Sequence, residues 1–188
     1  KGLRKVVGII MAPHQSKVSW DWYISTVAEA VKALPENAKV QVDVLDPWWA
    51  DRAFVGAVAD LIRADLAKWP ESRAREAKVF FTAHSIPSSI AKGGPYVTQF
   101  EETASLVAKE LGLKNWGTAF QSSAADSSIP WTGPDISDAI RAAKKEGVAD
   151  VLLSPIGFLV DHVEVLYDLD VEAKKTAAEC GVGFVRSG

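Results

Sequence analysis

A chain of 188 residues is long enough for one substantial α/β domain or two small lobes sharing a cleft, and a net charge of −3 offers no basic footprint for nucleic acid. Its 48% hydrophobic and 24% charged residues are ordinary for a globular protein, no apolar run approaches the ~20 residues that cross a bilayer, and no signal peptide pattern is present. The single cysteine, Cys180, excludes an internal disulfide framework and fits a reducing, cytoplasmic compartment. The chain starts Lys1-Gly2-Leu3 and its only methionine is Met11, so it is expected to be a piece of something longer.

Residues 6–12 are a continuous apolar run, which predicts a first strand buried on both faces, ended by Pro13-His14. Ser19 or Asp21 can cap a helix reaching Leu34, with Ile24, Val27, Val31 and Leu34 on one face. Pro35-Glu36-Asn37 interrupts the pattern and marks a soft boundary; Val40, Val42 and Val44 then alternate in a second strand over 39–45. A helix is predicted over 51–68, a third strand over 79–82 and a helix over 96–111. A fourth strand follows over 116–121, then a loop over 122–133 rich in Ser, Pro and Asp, and a helix over 134–146. A strand over 149–154, a helix from about Asp161 and a short strand over 182–185 complete the order. Strand and helix alternate throughout, which predicts a Rossmann-like, largely parallel sheet with helices on both faces. In such a sheet functional groups collect beyond the carboxyl ends of the strands. His14, His84 and the turn from Pro155 to Glu164 fall at such ends, and they include all three histidines.

The predicted helix from Asp161 carries Asp161, Glu164, Asp168 and Glu172 at spacings of three, four and four. That places four carboxylates on one face. Most other positions up to Glu172 are apolar, and no Lys or Arg appears before Lys174 to relieve the repulsion. Two readings stand: a solvated edge or extended N-terminal cap, and a metal or proton path. A lone histidine such as His84 is more often structural than catalytic; beside Asp161, His162 and Glu164 it suits a borderline divalent metal or a base near neutral pH. No phosphate-binding glycine loop and no nucleophile elbow occurs. Cys180 reads as a structural thiol, Trp48-Trp49 as packing or a groove wall, and Trp131 as a contact for a flat ligand.

Several segments resemble the ferrochelatase family. Ala83-His84-Ser85-Ile86-Pro87 is similar to its "SAHSLP" wording, and Pro95-Tyr96 to Gln99 with Glu102-Thr103-Ala104 to its "PYxxQ…ETA" helix. Gln121-Ser122 followed by Pro130-Trp131-Thr132-Gly133-Pro134-Asp135 resembles "QS…PWxGPD". Pro155-Ile156-Gly157-Phe158 with the run Asp161 to Asp168 resembles "PxGFxxDHxEVLYD". Ala12-Pro13-His14 with Ser16 and Tyr23 resembles an upstream "APHxS…Y". The order and spacing match over nearly the whole chain, and the wording resembles most the bacterial coproporphyrin-dependent type.

The resemblance implies a chelatase-like α/β fold and insertion of Fe²⁺ into a porphyrin, coproporphyrin III or protoporphyrin IX, with release of two protons in haem synthesis. His84 and Glu164 would be the catalytic pair, with His84 accepting pyrrole protons, ligating iron, or both. Asp161 and His162 would support them. His84, Glu164, Asp168 and Glu172 would handle metal, a second divalent ion sitting at the outer carboxylates, while Tyr23, His14 and Trp131 would touch the porphyrin. It also implies that residues 1–37 end a first lobe, that 38–188 form a second lobe carrying the metal-insertion residues, and that most of the first lobe and the C-terminal helix are lacking. The absent lobe and other haem-pathway enzymes are the protein partners implied. One cysteine leaves no support for an iron–sulfur cluster. The alternatives are a chelatase of sirohydrochlorin type and a non-catalytic porphyrin- or metal-binding lobe.

Overall fold

The computed structural model describes residues 2–124 and 128–188; part of the loop expected over 122–133 lies outside the described residues. Strands β1 (Lys5–Gly8) and β2 (Gln41–Val44) form a two-stranded parallel sheet. β3 (Lys78–His84), β4 (Trp116–Gln121), β5 (Asp150–Ser154) and β6 (Gly183–Arg186) form a second, all-parallel sheet in the order β4-β3-β5-β6. The fold is therefore α/β and Rossmann-like, as the alternation of patterns predicts.

Side-chain alternation assigns the layers of the larger sheet. Val79, Phe81 and Ala83 of β3 and Leu152 of β5 face α2 (Arg52–Leu66) and α5 (Tyr96–Leu111). Phe80, Val151 and Leu153 face the opposite way, toward α6 (Ile136–Lys145) and α7 (163–180). Covering on both faces is why the middle of β5, Val151 to Leu153, is continuously apolar and fully buried. Local capping sets the helix starts: Asp51 accepts from the amides of Ala53 and Phe54 at 2.9 and 3.1 Å, and Asp135 accepts from Ser137. Gly112, at φ 64°, ends α5 in the left-handed conformation. Short helices α3 (Glu71–Glu76) and α4 (Ser88–Ala91) were not anticipated from the pattern.

Two expectations are corrected. The first strand is shorter than 6–12 and is not buried on both faces: Val7, Ile9 and Met11 are 61, 58 and 72% exposed. A continuous apolar run says that both faces are apolar, not that both have a neighbour. Among the described residues, β2 and α1 (Trp20–Ala33) border only one side, where Val42, Val44, Ile24 and Val27 line a shallow groove. The second correction concerns the helix predicted from Asp161. α7 begins only at Val163, and Leu166–Ala173 within it is wound as a π-helix.

The widened segment has a sequence cause. Val165, Leu169, Ala173 and Ala177 recur every four residues and are all fully buried. On an ideal α-helix of 3.6 residues per turn such a row drifts by about 40° per step. Turns closed by i→i+5 bonds drift the other way, so alternating the two keeps the row against the sheet. Glu164, Asp168 and Glu172, each one position before a buried residue, are carried along the same edge.

The smaller sheet is tied to the larger by polar contacts. The Gln15 amide, after β1, donates to Gln99 Oε1 of α5 at 2.7 Å, and Trp49 Nε1, after β2, donates to Glu102 Oε2 of α5 at 2.8 Å. The turn after β5 is held still closer. The Gly157 amide donates to the Thr82 carbonyl at 3.1 Å, and a side chain at this position would place its Cβ 2.8 Å from both Cα and Cβ of Ala83. Gly157→Ala is expected to cost about 1–3 kcal/mol, as other overpacked sites do, with a lower unfolding midpoint in denaturant. A midpoint equal to that of the parent would show that this approach is not a constraint.

Candidate functional site

His84 is the last residue of the central strand β3, so its ring emerges at the carboxyl edge of the sheet. Its main chain is clamped from three sides. The Tyr96 hydroxyl donates to the His84 carbonyl at 3.0 Å, the Ser85 amide donates to the Gln121 carbonyl at 2.7 Å, and Ser85 Oγ donates to the Thr132 carbonyl at 2.8 Å. Burial pushes the Tyr96 hydroxyl above its ordinary pKa, so it remains a donor throughout the physiological range.

The ring's tautomer follows from its partners. Nδ1 lies in hydrogen-bond contact with the carbonyl of Ser85, which can only accept, so Nδ1 carries the hydrogen. Nε2 is thereby left facing Glu164 Oε1 at 3.3 Å. An imidazole lone pair and a carboxylate at that separation are satisfied by a proton or a cation shared between them. Both groups are partly exposed, so either can be delivered from solution.

His84 borders a large cavity of about 850 Å³, within the ~300–1,000 Å³ typical of ligand sites and lined mainly by apolar groups. His14, Tyr23, His84, Trp131 and His162 all line it, so five of the nine residues expected from the sequence converge here. Trp131 is placed by a bridge between its strand-like segment and Pro87. His162 stacks edge-on against Phe158 at 4.8 Å between ring centroids.

The carboxylates separate into distinct environments. Glu164 reaches His84, and Asp168 hydrogen-bonds the Ser122 hydroxyl at the end of β4, where Ser122 adopts a φ of 63°. Glu172 is exposed. Asp161 lies before the helix and turns to Arg186, whose Nη1 and Nη2 donate to its two oxygens at 3.0 and 3.1 Å. The row expected as four unrelieved acids is thus three, with Asp161 neutralised by a cation that arrives from the end of β6. Among the described residues no three metal-ligating side chains of the His, Cys, Asp or Glu type converge on one point.

His14 is a wall residue of a different kind. It is 2% exposed, with Nε2 3.0 Å from Thr103 Oγ1. The single hydrogen of the Thr103 hydroxyl is directed at the carbonyls of Trp49 and Gln99, so its oxygen accepts from His14 Nε2. Desolvation lowers the His14 pKa to about 4, and the ring is neutral at pH 7.

Sequence reasoning missed Arg186, Tyr96 as a clamp, and Gly157 as a close-approach residue. The signal for Arg186 was available, since it ends a fourth parallel strand at the same edge as the other candidates. Nothing in the spacing of Tyr96 points to the His84 carbonyl, twelve residues away.

A parallel α/β sheet whose carboxyl edge joins a histidine and a helix-borne glutamate at an apolar cavity describes a chelatase-type site. A family model for ferrochelatase matches residues 1–187. A ferrochelatase of Thermus thermophilus is 40% identical over 190 residues, covering 99% of this chain and 57% of that relative. Proteins named coproporphyrin III ferrochelatase from Geobacillus kaustophilus and Propionibacterium freudenreichii are 35 and 38% identical, over 98 and 99% of this chain and 58 and 54% of theirs. The chain belongs to the ferrochelatase family. It spans less than two thirds of the length of the curated relatives it matches. Among the described residues no helix is long and apolar enough to cross a membrane.

Protonation of His14 sets a pH dependence. Its folded pKa lies below the unfolded value of 6.5, so its contribution is complete above pH 6.5 and is lost as pH falls toward 4. The loss is on the order of 3 kcal/mol. Unfolding free energy measured from pH 7 to 4 should therefore fall less in His14→Gln than in the parent; identical slopes would exclude a buried neutral His14.

Proposed function

We propose that this chain carries the metal-insertion site of a ferrochelatase, which places Fe²⁺ in a porphyrin during haem synthesis in the cytoplasm. The juxtaposition of His84 Nε2 and Glu164 at the edge of the large apolar cavity carries this reading. The porphyrin is coproporphyrin III or protoporphyrin IX; the names of the Geobacillus kaustophilus and Propionibacterium freudenreichii relatives favour the former.

The chemistry follows from the donor set. A divalent ion in solution is strongly hydrated, and an apolar cavity would reject it unless protein oxygens replace its waters. Glu164, Asp168 and Glu172 form an acidic edge that runs from exposed Glu172 in the middle of α7 to Glu164 beside His84, and a second divalent ion would sit at the outer two. Imidazole nitrogen with carboxylate oxygen is a suitable pair for Fe²⁺. When the metal leaves this pair for the four nitrogens of a neutral porphyrin, two N–H protons must depart. His84 Nε2 and the Glu164 carboxylate, vacated by the metal, accept one each, so charge and protons balance. His84 is held for this role by its Nδ1–H bond to Ser85 and by the clamp from Tyr96.

His162 and Phe158 would shape the wall next to the pair, with Tyr23, Trp131 and His14 contacting the macrocycle. Asp161 supports the pair from outside the cavity. Residues 1–37 would belong to a first lobe and 38–188 to a second, completed by the additional length found in the relatives.

Metalloporphyrin formation by the intact protein is the test. His84→Ala and Glu164→Ala should each lower turnover by at least about 100-fold, the scale of a lost acid–base group. Asp168→Ala and Glu172→Ala should mainly raise the Fe²⁺ concentration needed. Undiminished turnover in both inner variants would refute the function, and equal losses in the outer ones would refute the graded route.

A further inference from the structure

We infer that Arg186 is a positioning residue for Glu164, holding the chain on both sides of that carboxylate through one guanidinium. The inference rests on the reading of His84 and Glu164 as the metal-insertion pair.

Local structure leaves the turn that carries Glu164 poorly supported. His162, at the helix N-cap, makes no capping hydrogen bond, and Val163 is 83% exposed. Only Val165 anchors this first turn in the core. Arg186 supplies what the turn lacks. From the carboxyl end of β6 its Nη1 and Nη2 donate to Asp161 Oδ1 and Oδ2 at 3.0 and 3.1 Å, and its Nε donates to Asp170 Oδ1 at 2.9 Å. Asp161 precedes the helix and Asp170 lies in the π-helical segment, so Glu164 sits in sequence between two carboxylates held by one rigid cation. The side chain of Arg186 is 13% exposed, which limits the screening of these contacts.

The geometry requires arginine. A planar guanidinium offers donors on two edges and can hold a bidentate carboxylate and a second acceptor together, whereas an ammonium is a point charge on a flexible stem. The arrangement also gives Asp161 its role. It is a handle for Arg186 and not a member of the cation route. Outer partners of this kind change metal affinity by about 10–100-fold in other sites.

Co²⁺ serves as the probe, titrated into the intact protein with affinity and visible absorption as readouts, beside thermal unfolding. Glu164→Gln and Arg186→Met should each weaken Co²⁺ binding by about 10-fold, and Arg186→Lys should recover part of the loss. The double variant Glu164→Gln with Arg186→Met should bind no more weakly than Glu164→Gln alone, because the arginine acts only through the glutamate. Parent-like affinity in Arg186→Met, or a further full loss in the double variant, overturns the inference. If Arg186→Met does not fold, Asp170→Asn releases one side alone; a loss of about threefold, absent in the Glu164→Gln background, supports the two-sided hold, and unchanged affinity overturns it. An unaltered Glu164→Gln would refute the metal pair itself, and this inference with it, a failure distinct from one seen in Arg186 variants alone.

Discussion

The approach of the turn after β5 to the end of β3 is the contact on which the site depends. Gly157 packs where any side chain would meet Ala83, and its amide bonds to the Thr82 carbonyl, two residues before His84. That contact fixes where the chain emerges from the sheet. Six residues later it enters α7, and the first turn of that helix brings Glu164 within 3.3 Å of His84. Two groups eighty residues apart in sequence are thus joined because parallel strands deliver their following segments to one edge, and because glycine lets two backbones touch there.

Around that contact the polar groups are divided between support and chemistry. Tyr96, Gln121 and Thr132 are committed to holding His84 and Ser85, with hydrogen bonds at 2.7–3.0 Å to the His84 carbonyl, the Ser85 amide and the Ser85 hydroxyl. His14 is buried, neutral and tied to Thr103, which makes it a wall residue and not a base. The histidine left with an available nitrogen beside a carboxylate is His84. The separation follows from burial: a group fully removed from water has its hydrogen bonds assigned by neighbours, while a group at the rim remains free to exchange a proton or a cation.

The π-helical segment shows how far a periodic pattern can be read. Val165, Leu169, Ala173 and Ala177 repeat every four residues, a period that 3.6 residues per turn does not match, and the helix begins at Val163 and not at Asp161. The repeat, once set against a flat sheet, favours widened turns because they keep one row buried. The same widening keeps Glu164, Asp168 and Glu172 along one edge. Asp161 drops out of that row because it precedes the helix and because Arg186 claims it. The exposure of Val7, Ile9 and Met11 has a related origin, since an apolar run marks faces that could be covered and says nothing about whether a neighbour is there.

The amino-acid pattern by itself determined the alternation of strands and helices, the strand ends where function collects, and the motifs around His84 and Glu164 that mark the family. These are local properties: apolar periodicity, cap residues such as Asp51 and Asp135, and short spacings within one turn or helix. Tertiary structure alone decided which carboxylate meets His84, that His14 is neutral, and that Arg186 binds Asp161 and Asp170. Each of those depends on a partner 16 to 89 residues away, brought near by sheet order and burial, and no spacing along the chain encodes such a contact.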